Sequence, residues 1–296
     1  MYKLLSATLL LFVLHGEIMS QAPLTGNTLK FEQGQVLEIS VDNKMTITQQ
    51  AMGQAIDFTV NSTGTHTYTV TNATDDNTTL HHDVNKISFV FDGMGQKRTF
   101  SSDSEKDMKG MFGNSVQPYL EKKYDMIIDT AGNVLMSFPE KIEIKQADTR
   151  LAIVTNLLKE TLDIVQPPLK GNGSFFKLLP GREVAVGDTW NESVNGGTLK
   201  SKNKYTISAI TDTTIVVDIE GTSTSITKAE MMGNESTTTM NNKYTGKIIV
   251  DKLTRLIKEK QLTTEGTGTA ETSFGSIPVT SKSSSSIIVR SVQEEK

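Results

Sequence analysis

Tyr205-Thr206-Ile207-Ser208-Ala209-Ile210-Thr211-Asp212-Thr213-Thr214-Ile215-Val216-Val217-Asp218-Ile219 is the stretch whose reading decides the fold. Tyr205, Ile207 and Ala209 recur every second residue, and so do Ile215, Val217 and Ile219. A period of two puts each set on one face of a β-strand. The threonine-rich, acidic tetrapeptide between them is turn chemistry, so the passage reads as an antiparallel hairpin. The same alternation spreads outward in both directions. Leu37, Ile39 and Val41 form one set; Ile56, Phe58 and Val60 another; Ile87, Phe89 and Phe91 a third. Met126 with Ile128, then Val134 with Met136 and Phe138, and finally Tyr244, Gly246, Ile248 and Val250 complete the pattern. Further turns are expected at Thr74-Asp75-Asp76-Asn77 and Ala131-Gly132-Asn133.

Two stretches break the period. Leu151, Val154, Leu158, Leu162 and Val165 are spaced by three and four, behind Asp148 or Thr149 as a cap and ahead of Pro167-Pro168 as a stop. That spacing predicts an amphipathic helix over 148–166. A shorter helix is expected over Glu105–Phe112, with Gly113-Asn114 ending it. The halves on either side of the long helix share an order. A tyrosine-led strand runs into an acidic turn, and a later Ile-Ile strand ends in Asp129 or Asp251, which suggests duplication. The expected architecture is a mainly β, β-rich α+β protein of two related antiparallel meander lobes with curved sheets. They span 23–145 and 171–296 and are joined by a helical connector, 146–170.

The chain opens with Lys3, an apolar run from Leu4 to Leu14, and the small residues Ser20 and Ala22. This is the pattern of a secretory signal peptide, 1–22, too short in its apolar run to span a bilayer. The expected product is exported, periplasmic or extracellular, with no stable membrane span after cleavage. With no cysteine in the chain, disulfides, thiolate metal sites and a cysteine-linked lipid anchor are all excluded. The net charge of −4 argues against a nucleic-acid partner, which calls for a basic surface. Thr and Ser are abundant while hydrophobics make up only 36%, as expected of strands with one wet face.

Candidate chemistry is sparse. His66, His81 and His82 are the histidines after the leader, but neighbours on a strand point to opposite faces. His81 and His82 therefore cannot share a metal ion. His81 and Asp83 share a face, and His66 lies across from them if its strand pairs there. No Gly-x-Ser-x-Gly elbow, phosphate loop or His-Glu-x-x-His helix is present. The Ser283–Ser286 run reads as a polar lead into a last strand, Ile287–Val289. Met52-Gly53-Gln54, Met94-Gly95-Gln96 and Met231-Met232-Gly233-Asn234 read as hairpin tips. Asn-x-Ser/Thr triplets start at Asn61, Asn72, Asn77, Asn172, Asn191 and Asn234.

Phe176-Lys177-Leu178-Leu179-Pro180-Gly181-Arg182-Glu183-Val184-Ala185-Val186-Gly187-Asp188-Thr189-Trp190 resembles the signature of the DUF6263 family, uncharacterised exported proteins of Bacteroidota. Leu29–Gly34 and Tyr124–Leu135 are read as part of the same resemblance. It implies a periplasmic or surface setting and supplies no activity, cofactor or site residues. Within the motif, Gly187-Asp188 should make a turn and Trp190, the single tryptophan, should anchor a core. No catalytic, cofactor-binding or metal-ligating residue is assigned, and ligand-binding residues are left open. The expectation is a non-enzymatic envelope protein that holds an apolar ligand or lipid between sheet and helix. The alternatives are a structural or interaction module with an envelope protein partner, or a hydrolase without a recognisable motif.

Overall fold

The structure is a computed structural model that describes residues 28–51, 54–93, 95–143, 158–231, 234–273 and 275–292. The expected signal peptide, Met52-Gly53, Met94, Met232-Gly233 and the first ten residues of the expected long helix lie outside the described residues.

Among the described residues the alternating stretches form strands, and β4, β7 and β11, where no alternating set was read, bring the number to twelve: β1 (Val36–Ala51), β2 (Gln54–Ala73), β3 (Asn77–Gly93), β4 (Gln96–Ser101), β5 (Lys123–Asp129), β6 (Val134–Phe138), β7 (Thr189–Asn195), β8 (Leu199–Ile210), β9 (Thr214–Met231), β10 (Asn234–Asp251), β11 (Ile257–Thr272) and β12 (Gly275–Val292). All pairings are antiparallel and all strands belong to one open, curved sheet. Several strands are far longer than the usual 3–10 residues; β2 alone has 20. The order is β6-β5-β3-β2-β1-β12-β11-β10-β9-β8-β7, with β4 lying beside β3. The two strand-rich stretches thus share one sheet, joined where β1 pairs β12 from Val36↔Val292 to Gln49↔Val279. Ser283–Ser286 lies inside β12 and does not precede it. Read along the sheet, each half descends in the same direction, β6 to β1 and then β12 to β7.

The expected turns are present. Thr74 closes the β2–β3 turn by accepting from Asn77 N at 3.1 Å, and Thr211 closes the β8–β9 turn by accepting from Thr214 N at 2.9 Å. Gly132 has a φ of +84°, in the left-handed region that glycine tolerates. Gly187, at φ +91°, does the same before Trp190.

The helical expectations are met in part. Helix α1 (Glu105–Met108) starts behind Ser104, whose hydroxyl accepts from Asp107 N at 3.2 Å. Gly113-Asn114 does not stop a helix but begins a second one, α2 (Gly113–Leu120). A Cβ at Gly113 would lie 1.8 Å from Met108 O, so glycine lets the chain pass close enough to restart. Of the long helix, the described part is a helical turn Lys159–Leu162 and a 3-10 turn Asp163–Val165. Leu158, Leu162 and Val165 are buried, as their spacing requires.

Three apolar clusters fill the inner face. One gathers Leu37, Ile39, Tyr68, Leu80, Met126 and Ile128 with Phe176 of the segment before β7. A second lies under Leu158, Leu162, Val165 and Val116 of α2. The third, in β8–β11, is closed by Leu178, Leu179 and Val184. β-Bulges correct the expected faces. Leu135 is an extra residue opposite Ile127 and Ile128, so Val134 is buried while Met136 and Phe138 are exposed. Ser208 is likewise extra, and Ile210 rather than Ala209 turns inward. Among the described residues, no helix is long and apolar enough to cross a membrane.

Candidate functional site

Between the inner face and the helical turn lies a cavity of about 290 Å³. Val41 and Asn43 come from β1, His66 and Tyr68 from β2, Tyr124 from β5, and Ser285 and Ile287 from β12. On each strand these residues have the same parity, which is why they meet on one face. Asp163, Ile164, Gln166 and Pro168, with Phe175, form the other wall. Gly64, paired with Val41, makes this approach possible. A Cβ there would come within 3.0 Å of Thr161 Cγ2 and 3.1 Å of Ile164 Cδ1.

Hydrogen bonds pin the turn to the sheet. Asn43 Nδ2 donates to Thr161 Oγ1 at 3.1 Å, and Thr161 Oγ1 lies 2.7 Å from Ser62 Oγ. All three residues are buried, so each bond replaces one to water that folding removed. Asn43 Oδ1 is sealed by its surroundings and has no partner.

Deeper in the wall is a cluster of rings. His66 Nδ1 and His82 Nε2 are 2.8 Å apart, and the hydroxyls of Tyr68 and Tyr124 are 2.7 Å apart. His82 stacks on Tyr124 with centroids 4.4 Å apart and planes at 22°. Phe176 meets Tyr68 edge to face at 5.4 Å. Burial pushes His66 down to about 4. Burial, with His66 and His81 nearby, pushes His82 down to about 2. Burial also raises Tyr68 to about 12 and drives Tyr124 well above the usual phenol range. At neutral pH the four groups are uncharged, and the cluster offers hydrogen bonds rather than charge.

The expected separation of His81 from His82 holds, but His66 goes with the other partner. It faces His82 on the inner side, because a bulge at Asn85 sets His66 against Val84. His81 is on the outer face, with Nδ1 2.7 Å from Asp125 and Nε2 3.2 Å from Asp83. Both ring nitrogens are thereby engaged. Among the described residues, no group of three His, Asp or Glu side chains is arranged to hold a metal ion. Trp190 packs against the β8–β11 core, stacked on Tyr205 at 5.0 Å and 13°. Asn61 and Asn191 lie on strands beside open grooves.

The larger groove, about 750 Å³, takes three successive residues from each of six strands, β4, β3, β2, β1, β12 and β11. Four of the six middle ones, Asn43, Ser62, Phe89 and Phe100, are buried, and Leu262 and Ser285 are partly buried. Its open walls are therefore the outer-face hydroxyl, amide and charged side chains. Phe89, Val90, Phe100 and Leu262 add apolar surface to its lining.

Asn43, Tyr124 and Thr161 were not singled out by sequence reading. For Asn43 a signal existed: it continues the phase of Leu37, Ile39 and Val41, a polar residue at an inward position. Tyr124 likewise continues the inward phase of Met126 and Ile128, while for Thr161 no local pattern marks the role.

With this geometry described, the chain can be set beside known proteins. Residues 169–257 match the model of DUF6263, a family of unknown function. The DUF6263 match takes in Trp190, the β7–β10 strands and the segment that closes the third core. It covers under a third of the chain, and Leu29–Gly34 and Tyr124–Leu135 lie outside it. No curated protein matches the chain. Among solved structures, a lipovitellin structure concerned with lipid–protein interactions is 12% identical over 90% of this chain, with a TM-score of 0.45. The chain spans only 26% of that lipovitellin chain. An outer membrane channel from Pseudomonas putida F1 is 8% identical, covering 90% of this chain and 98% of its own, with a TM-score of 0.21. Pseudomonas aeruginosa OpdQ is 7% identical, covering 89% and 100%, with a TM-score of 0.23. None of the three is close enough to carry an inference.

Proposed function

We propose that this chain is an exported, non-enzymatic cell-envelope protein that holds a small apolar ligand between its sheet and its helical turn. The supporting observation is the cavity of about 290 Å³ walled by Val41, Ile164, Phe175 and Ile287. An apolar cavity of about 150 Å³ is enough to take up benzene, so this one suits a ligand roughly twice that size. The leader sequence and the setting implied by DUF6263 favour the envelope. Gly64 and the Asn43–Thr161–Ser62 bonds hold the cover at a set distance, which keeps the cavity formed before a ligand arrives.

Native mass spectrometry of protein purified from its own envelope tests this reading. A co-purifying apolar molecule, released when an apolar fluorescent dye competes for the cavity, is the expected result. Protein that carries nothing and takes up no dye would refute it. A second reading, an interaction module, draws on β7. It is an edge strand with six of its seven residues exposed, and such an edge can accept a further strand. A stoichiometric protein in a pull-down from the envelope, with the cavity empty, would favour that reading.

A further inference from the structure

Resting on that reading of the cavity, we infer that its ligand is uncharged and carries an oxygen acceptor, a hydroxyl or carbonyl, that takes a hydrogen bond from His66 Nε2.

The hydrogen-bond pattern of the histidine pair leads to this. One ring must donate to the other across the 2.8 Å contact. If His66 donated, His82 would carry its own proton on Nδ1. That atom is sealed among the rings without a partner, and a stranded buried N–H is the rarer and costlier defect. His82 therefore donates from Nε2, His66 accepts at Nδ1, and the His66 proton sits on Nε2. Among the described residues, Nε2 of His66 makes no hydrogen bond, yet it is not among the sealed unpartnered atoms. The ring lines the cavity, so this N–H is offered there.

Charge settles the rest. The described cavity wall holds no Lys or Arg, and its one carboxylate, Asp163, is exposed. Burial keeps His66 neutral at physiological pH. An anionic head such as a fatty carboxylate would enter with no countercharge and against Asp163, and burying an unpaired charge is strongly unfavourable. A bare alkane would fill the apolar part but leave the His66 N–H unmatched. An alcohol or ketone fills the space and accepts the bond. Asn43 Oδ1 is not part of this match, because it is sealed off from the cavity.

The test uses the full mature chain with four probes, octane, 1-octanol, 2-octanone and octanoate, displacing an apolar dye at about pH 7.5. Octanol and octanone should bind roughly tenfold more tightly than octane, as one net hydrogen bond implies, and octanoate should compete least. The ¹⁵N signal of His66 Nε2 should shift with octanol and stay with octane. In His66→Phe the preference for octanol over octane should vanish. Equal binding of octane and octanol, or tightest binding of octanoate, would overturn this inference and leave the apolar cavity standing. If none of the four probes displaces dye and no signal moves, the cavity reading itself fails. The ligand series and the ¹⁵N shift need no variant, so the result stands even where His66→Phe folds poorly.

Discussion

Gly64 sits in the middle of a twenty-residue strand, where glycine weakens a sheet unless another element must come close. Here the helical turn lies against it, and Thr161 and Ile164 occupy the space a side chain would take. Gly64→Val should push the turn off the sheet and cost about 1–3 kcal/mol, read as a lower urea midpoint, with loss of dye uptake by the cavity. The histidine pair has a pH signature. Unfolded imidazoles titrate near 6.5, while in the folded chain His66 is held at about 4 and His82 at about 2. Between those values the unfolded chain binds protons that the folded chain refuses, so stability rises with pH there. The contribution is complete above 6.5 and is lost as pH falls toward 4. At ~1.4 kcal/mol per unit, His66 alone accounts for about 3 kcal/mol. Urea midpoints between about pH 7.5 and 4.5 should fall steeply in the parent chain and less steeply in His82→Phe. A flat parent curve would contradict the buried, neutral pair.

At the scale of elements, the same devices recur in each half. Asp129 ends β5 and accepts from Ala131 N, Asn133 N and Asn133 Nδ2 at 3.0, 2.8 and 2.7 Å. Asp251 ends β10 and accepts from Leu253 N, Thr254 N and Thr254 Oγ1 at 3.0, 2.9 and 3.1 Å. Partial burial raises both carboxyls, but these hydrogen bonds outweigh it and both end up below the usual carboxylate range. Asp129→Ala and Asp251→Ala should each lose roughly 1 kcal/mol in thermal unfolding, and the two losses should be alike. Turns of this kind were legible because their chemistry is local: an Asp or Thr side chain bonds backbone two to four residues on. The bulges at Asn85, Leu135 and Ser208 were not. One extra residue reverses which side chains face inward, and the partner strand decides where it falls. Met136 and Phe138 were misplaced for that reason, while Leu37, Ile39 and Val41, in a strand that pairs without a break, were placed correctly.

For the molecule as a whole, the longest contact between the halves is the β1–β12 pairing, backed by a smaller junction where Asn133 bridges Gly173 and Ser174 N donates to Gly132 O. Phe175 contacts both the β1-side and β8-side cores. A proline at the middle of this seam removes a ladder hydrogen bond and distorts the strand. Ile287→Pro, opposite Val41, should disturb both halves, seen as a shift in Trp190 fluorescence although Trp190 lies on β7, at the far edge. An unchanged Trp190 signal with loss of structure around β2 would show instead that the halves hold independently. The sequence by itself determined most of the strands, though not β4 or β11, most of their turns, the faces of the unbroken ones and the helical turn just ahead of Pro167, because these follow from the spacing of neighbours a few residues apart. The tertiary structure alone decided that β1 lies beside β12, that His66 meets His82 rather than His81, and that Asn43, Thr161 and Ser62 clamp a cavity. A period of two states which way a side chain points, but only the register between strands distant in sequence states what it points at.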